Sequence, residues 1–388
     1  MLPMPTWHEK EEALHARLRE GKRGAARALL LAELAAYAQD VVRAARAEPG
    51  RVIPPAELAQ ATRWLERPVF ICGHHRSGTT LLQELLDGHP ELVVLPSEGT
   101  YFTSFRRVAR ADPEAQALDA FAAEWVSRLV DPNYPPHFKL GRSTADHQPY
   151  VTFVRSLFAW QRELPMALPR LAQFGTLLAL VAAYREVALP GVAPNLWVEK
   201  TPLNERYRSK FAAFDNALFI HVVRHPADSF ASLMQALRQG GVANPPRAAH
   251  AADIGHSLLL AAENSARHEG RYLVVRYEDL TASPAREMER VRAFLKIAGH
   301  DTLTRATSGG IAVAPNSSFG VGTAGEVVKP GKRAELTPED SELLATYAGE
   351  AARLHGYELV PLASWRRTMI RLRHAPSEAV RRLRIALR

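Results

Sequence analysis

From Arg67 onward, short apolar runs alternate with longer stretches in which apolar positions recur every three or four residues. The runs at 69–72, 92–95, 196–199, 217–223 and 272–276 are four to seven residues long and rich in valine and leucine, which predicts buried strands. Between the first two, Leu82, Leu85 and Leu86 share one face of a predicted helix that begins at Thr79. Strands separated by helices predict an α/β fold with a parallel sheet. Residues 1–67 are rich in alanine and leucine and studded with charge, with a break at "EPGRVIPP" (48–55), and predict a helical extension. Residues 100–194 are mostly helical in pattern and too long for one crossover. They read as an insertion that would build a substrate-facing wall. "GGVANPPRAAH" (240–250) reads as a loop, and "NSSFGVGTAGEVVKPGKR" (316–333) is glycine-rich and poor in apolar residues. The expected organisation is therefore a helical extension (1–67), an α/β core (68–335) and C-terminal helices (336–388). In the last piece, Trp365, Met369 and Leu372, then Val380, Leu383 and Leu387, recur at helical spacing, with Pro376 dividing the two groups.

Composition narrows the class. A chain of 388 residues, 47% hydrophobic and 23% charged, can bury a large core and is ordinary for a soluble protein. Its single cysteine, Cys72, allows no intrachain disulfide and no cysteine zinc cluster, and is expected in the core. Glu9, Glu11 and Glu12 precede any long apolar stretch, unlike a secretory signal. The longest apolar runs, such as 174–184, fall short of the ~20 residues a membrane helix needs. A cytoplasmic protein is expected. Net charge is +8, but residues 364–388 hold eight arginines against one acid, Glu378, a local charge of +7. The basic balance is thus a property of the tail, and no nucleic-acid partner is expected. A basic amphipathic segment can lie on an anionic membrane, so 365–388 is a candidate for peripheral contact; a packed or solvated helix is the alternative.

The chemistry concentrates around "FICGHHRSGTTLLQELLDGHP" (70–90). Strand, tight turn and helix make a phosphate-binding layout, with backbone amides and a helix N-terminus facing an anion. The spacing Gly73-x-x-x-x-Gly78 fits a nucleotide loop, but Thr79 stands where such loops carry lysine, and the nearest cation is Arg76. A nucleotide kinase also needs an acid after a second strand to hold magnesium. The run at 217–223 ends instead in Arg224-His225-Pro226. His74 and His75 are adjacent, a poor geometry for one metal, and are expected to shape the loop, one of them turned toward the acceptor. His221 and His225 lack a third ligand, and Trp125 and Trp160 are expected in the core.

"GHHRSGTTLL", "WVEKTP", "VVRHPADSFASL", "VVRYEDL" and "VVKPGKR" occur in that order over residues 67–333. This set resembles sulfotransferases that use 3′-phosphoadenosine 5′-phosphosulfate (PAPS), of the bacterial and tyrosyl-protein P-loop type. The resemblance implies a parallel sheet of about five strands flanked by helices, and transfer of a sulfuryl group to an acceptor hydroxyl, leaving 3′,5′-ADP. It implies that the turn amides with Ser77, Gly78, Thr79 and Thr80 hold the 5′-phosphate, with Arg76 beside the sulfonate. Arg224 and Ser232 would clamp the 3′-phosphate. Tyr277, Lys329 and Lys332 would contact the adenosine and 3′-phosphate end, and Ser318 or its neighbour Ser317 the sulfonate. Glu98 would be the base and Lys200 would steady the bridging oxygen; no metal is called for. Two departures stand out. Pro202 replaces the histidine base of cytosolic relatives, and Ser97 occupies the spot where the tyrosyl-type pattern puts its acid, one residue before Glu98. Only eight of the 49 Lys and Arg are lysines, three of them Lys200, Lys329 and Lys332, which hints at a specific need for an ammonium. The rival readings are a P-loop kinase using ATP and magnesium, and a non-catalytic membrane-associated protein whose basic tail is its functional part.

Overall fold

The structure is a computed structural model that describes residue 14 and residues 25–101, 114–130, 138–140, 147–313, 323–328 and 336–386. Its centre is a five-stranded, all-parallel sheet of β1 (Pro68–Cys72), β2 (Leu92–Glu98), β3 (Leu196–Lys200), β4 (Leu218–Val223) and β5 (Tyr272–Arg276), in the order β2-β3-β1-β4-β5. β1 lies in the middle and is buried along its whole length, as expected where helices cover both faces. Alternate residues of β1 feed opposite cores. Phe70 and Cys72 join a core with helices α1 (Ala25–Ala47) and α2 (Pro55–Leu65). Val69 and Ile71 join the other, with α3 (Thr79–Leu86).

β2 extends beyond the apolar run at 92–95. Pairing with β3 resumes after an irregularity, and Glu98 ends the strand opposite Lys200 rather than standing in the loop after it. β2 is an edge strand, where Pro96 does not break an interior ladder. Between β2 and β3 lie α4 (Glu114–Val130), α5 (Gln148–Ala167) and α6 (Gly175–Ala188), and these pack with α1 in one core. Leu34, Tyr37 and Val41 of α1 share that core with Phe121, Trp125, Tyr150, Phe153 and Trp160.

α7 (Pro226–Gln239) and α8 (Arg247–Arg267) follow β4; α9 (Tyr277–Ala282) and α10 (Pro284–Leu295) follow β5. In a two-stranded hairpin, β6 (Thr307–Ser308) and β7 (Ile311–Ala312), the β6 residues line part of a cavity. α11 (Pro338–Tyr347) and α12 (Gly349–Arg353) pack on α7 and α8. The tail differs from the two-piece expectation. One helix, α13 (Ser364–Ala386), runs through Pro376. Proline removes one helical hydrogen bond, and the alanine, arginine and leucine residues around it are strong helix formers. Leu387 and the side chains from Pro376 onward, Val380 and Leu383 included, lie outside the described residues. Among the described residues, no helix is long and apolar enough to cross a membrane.

Candidate active site

The turn between β1 and α3 needs its two glycines. Gly73 has φ +139, and a Cβ there would meet the Val222 carbonyl at 2.5 Å. Gly78 has φ +101, and its Cβ would lie 2.3 Å from the Tyr277 ring. Arg76, between them, also has positive φ, at 67. A non-glycine residue held in that region is a form of strain that collects at functional turns. The Gly73 amide donates to Glu205 Oε2 (3.2 Å) and the Ser77 amide to the His74 carbonyl (3.1 Å), which fixes the turn.

Three sequence motifs meet at this turn. Arg76 Nε donates to Ser232 Oγ on α7 at 3.0 Å. Arg224, after β4, donates through Nη1 to the Arg76 carbonyl at 3.0 Å, and its guanidinium lies 4.4 Å from the centre of the Tyr277 ring. Ser77 Oγ and Arg224 Nε are buried without a hydrogen-bond partner. The backbone just after Arg224 is held by Glu278, which accepts from the His225 amide (2.8 Å) and from the Tyr357 hydroxyl (2.6 Å).

A cavity of about 400 Å³ opens beside the turn. Among the residues lining it, Lys200 Nζ lies 2.9 Å from Glu98 Oε1, the lysine buried and the glutamate side chain 41% exposed. The strand end carrying them is tied from below. Glu199 accepts from the Gly99 amide (2.9 Å) and from Asn204 (2.5 Å), while the Thr100 amide donates to Thr201 Oγ1 (2.9 Å). Burial holds the Glu199 carboxyl above the usual range. The cavity is thus lined by the cations Arg76 and Arg224 of the turn region together with the adjacent Lys200 and Glu98.

Residues 68–301, more than half of the chain, match a sequence model described as Sulfotransferase family. The chain belongs to that family. No curated protein matches it in sequence. Among solved structures it is similar to the sulfotransferase domain of the Synechococcus PCC 7002 olefin synthase, at 18% identity over 80% of this chain and 94% of that one, TM-score 0.38. It is also similar to the sulfotransferase domain from the curacin biosynthetic pathway, at 18% identity over 75% and 98%, TM-score 0.41. A third is the sulfotransferase STF9 of Mycobacterium avium, at 15% identity over 78% and 86%, TM-score 0.35.

In this sulfotransferase the expected residues Arg76, Ser77, Gly78, Thr79, Thr80, Arg224, Ser232, Tyr277, Glu98 and Lys200 come together around the turn and the cavity it opens into. Ser317, Ser318, Lys329 and Lys332 lie outside the described residues. Several cavity residues were not foreseen. Arg128, on α4, donates to the Glu98 carbonyl and to Thr100 Oγ1 (2.7 Å), so α4 braces the strand end that carries Glu98. Lys139 donates to Ser308 Oγ and to the Pro96 carbonyl (3.4 Å). Glu84, on α3, keeps Oε2 buried without a partner, and burial pushes its carboxyl up to about 7. Burial likewise lowers Lys139 to about 8. Asp87, one turn beyond Glu84, accepts from Thr307 Oγ1 and from the Gly310 amide, both at 2.8 Å. His75 lines the cavity with its pKa lowered by burial, whereas His74 is turned inward and pushed down to about 3 for the same reason. One sequence signal pointed at Lys139: it is another of the chain's eight lysines.

Proposed function

We propose that this sulfotransferase takes the sulfuryl group of PAPS and passes it to an acceptor hydroxyl, releasing a sulfate ester and 3′,5′-ADP. The observation that carries the reading is the junction of Arg76, Ser77, Arg224 and Ser232, with Ser77 Oγ and Arg224 Nε buried and unsatisfied. A buried orphan donor costs about 1–3 kcal/mol, so two of them at one turn fit a ligand that brings phosphate oxygens. When bound, PAPS supplies the sulfuryl group and a leaving phosphosulfate oxygen.

The chain's own residues do the rest. The turn amides at the α3 N-terminus, with Ser77, Thr79 and Thr80, hold a 5′-phosphate, and Gly78 keeps the approach open. Arg76 sits beside the sulfonate. Arg224 and Ser232 grip the 3′-phosphate through charge-assisted bonds, and Tyr277 flanks the adenosine. The sequence motif alone assigns Lys329 and Lys332 to the adenosine and 3′-phosphate end and Ser318 to the sulfonate. Glu98 takes the proton of the acceptor hydroxyl. Lys200 stabilises the bridging oxygen as that atom receives the electron pair of the breaking S–O bond. We read the 100–194 segment, which brings Arg128 and Lys139 to this region, as the acceptor wall.

The test is turnover. The protein is incubated with PAPS and a panel of phenolic, sugar and sterol hydroxyls, and 3′,5′-ADP and sulfate ester are quantified. Equal amounts of the two products are expected with at least one acceptor class, and Lys200→Ala lowers the rate ~10²–10³-fold, as for loss of one charge-stabilising donor. Absence of 3′,5′-ADP with every acceptor, alongside consumption of ATP with magnesium, would replace this reading by the kinase one.

A further inference from the structure

α13 is amphipathic, and among its described side chains those packed on the fold lie on one side. Toward the body, Ile370 packs against the core formed by α7, α8, α11 and α12. Arg366 and Arg367 pair with Glu342 and Glu350, each at 3.2 Å, and Arg371 donates to the Thr346 carbonyl at 3.3 Å. Away from the body, Trp365, Met369 and Leu372 fall at i, i+4 and i+7, one stripe of the helix, and are 67%, 60% and 65% exposed. Single exposed apolar residues are common; three aligned on one helix face, including a tryptophan, are not. Arginines flank the stripe, Arg373 among the exposed ones.

We propose that this face of α13 docks the enzyme on an anionic lipid surface. Charge chooses the occupant. Residues 364–388 carry eight arginines and one acid, and with only Arg366 and Arg367 paired to acids of the body among the described residues, a second copy brought against the helix would set one basic segment against another. A nucleic acid would answer the arginines but not a contiguous tryptophan–methionine–leucine stripe. A lipid interface answers both: the indole and aliphatic side chains enter the headgroup boundary while arginines meet anionic headgroups. Arg366 and Arg367 keep the helix attached to the body, so binding through the opposite side orients the whole molecule rather than pulling the helix away. The proposal is independent of the PAPS reading, since no residue of the cavity takes part.

The experiment is co-sedimentation of the full-length protein with vesicles of phosphatidylcholine alone and of phosphatidylcholine with phosphatidylglycerol, at low and high salt. The expected result is pelleting with the phosphatidylglycerol vesicles only, weakened by salt. A combined Trp365→Ser, Met369→Ser, Leu372→Ser variant should partition at least ~10-fold less, the loss of its buried apolar contact, with an unchanged thermal midpoint. Arg373→Glu is the second variant, at an exposed position that needs no repacking, and should also reduce pelleting. The proposal is overturned if wild type stays in the supernatant. It is equally overturned if both variants pellet like wild type, or if wild type elutes as a dimer that the triple variant dissociates.

Discussion

The pair formed by Glu98 and Lys200 joins two motifs that are 102 residues apart in sequence and opposite each other at the ends of β2 and β3. Lys200 is a buried cation with this carboxylate beside it, so the two side chains hold each other before any substrate arrives. Glu98→Gln keeps the shape and removes the carboxylate to which we assign the acceptor's proton. Turnover should fall ~10²–10⁴-fold, the usual worth of a general base, with 3′,5′-ADP affinity unchanged. An equal loss of affinity would show that Glu98 serves binding rather than proton transfer. Histidines set a second residue-scale expectation. His74 and His221 are buried and pushed down to about 3 and about 4, from an ordinary 6.5. Below pH 6.5 the unfolded chain takes up protons that the fold refuses, so stability is full above that value and is lost as pH falls. Each group accounts for about 1.4 kcal/mol per pH unit in that window. The thermal midpoint should drop steeply on acidification, and His74→Gln should flatten the slope; an unchanged slope would mean other groups govern it. Lys200, Arg76 and Arg224 could be picked out in the sequence because each sits within a motif, and Glu98 only one residue off the expected offset. Arg128, Lys139 and Glu84 could not, since nothing along the chain relates them to the turn they reach in space.

At the scale of elements, the β1–α3 turn is the least replaceable piece. A side chain at position 78 collides with the Tyr277 ring and must also hold φ +101. Gly78→Ala should therefore abolish 3′,5′-ADP binding and lower the thermal midpoint, measured by calorimetry and melting. Binding at wild-type strength would show that the turn relaxes without cost. Five strands were visible from their apolar runs, and β1, β3 and β4, buried almost throughout, have little polar alternation to blur them. β2 was read three residues short because pairing, not hydrophobicity, carries it through Pro96 to Glu98. Pro376 was read as a division because a proline's local rule is strong, yet α13 continues past it.

Across the whole molecule, the extension and the insertion depend on each other. Leu30, Leu34, Tyr37, Ala38 and Val41 lie in the same core as Trp125, Tyr150 and Trp160. Deleting residues 1–47 uncovers that core, and the shortened chain should be insoluble or melt far below wild type. Independent folding with a normal midpoint would make the extension an appendage. The sequence separated these pieces by composition, which says how each segment is built but not which segments share a core. The polar asymmetry of the tail was plain in the sequence; which side of α13 faces the body required the contacts of Ile370, Arg366 and Arg367.

The most direct measurement is thermal unfolding with saturating 3′,5′-ADP, in parallel with ATP and magnesium, on wild type and on Arg224→Ala. At a hundredfold its dissociation constant a ligand stabilises by about 2.7 kcal/mol, which moves the midpoint by a few degrees. A shift with 3′,5′-ADP that Arg224→Ala removes is the predicted result. A shift with ATP and magnesium alone, or one with 3′,5′-ADP that survives Arg224→Ala, would contradict the cofactor assignment.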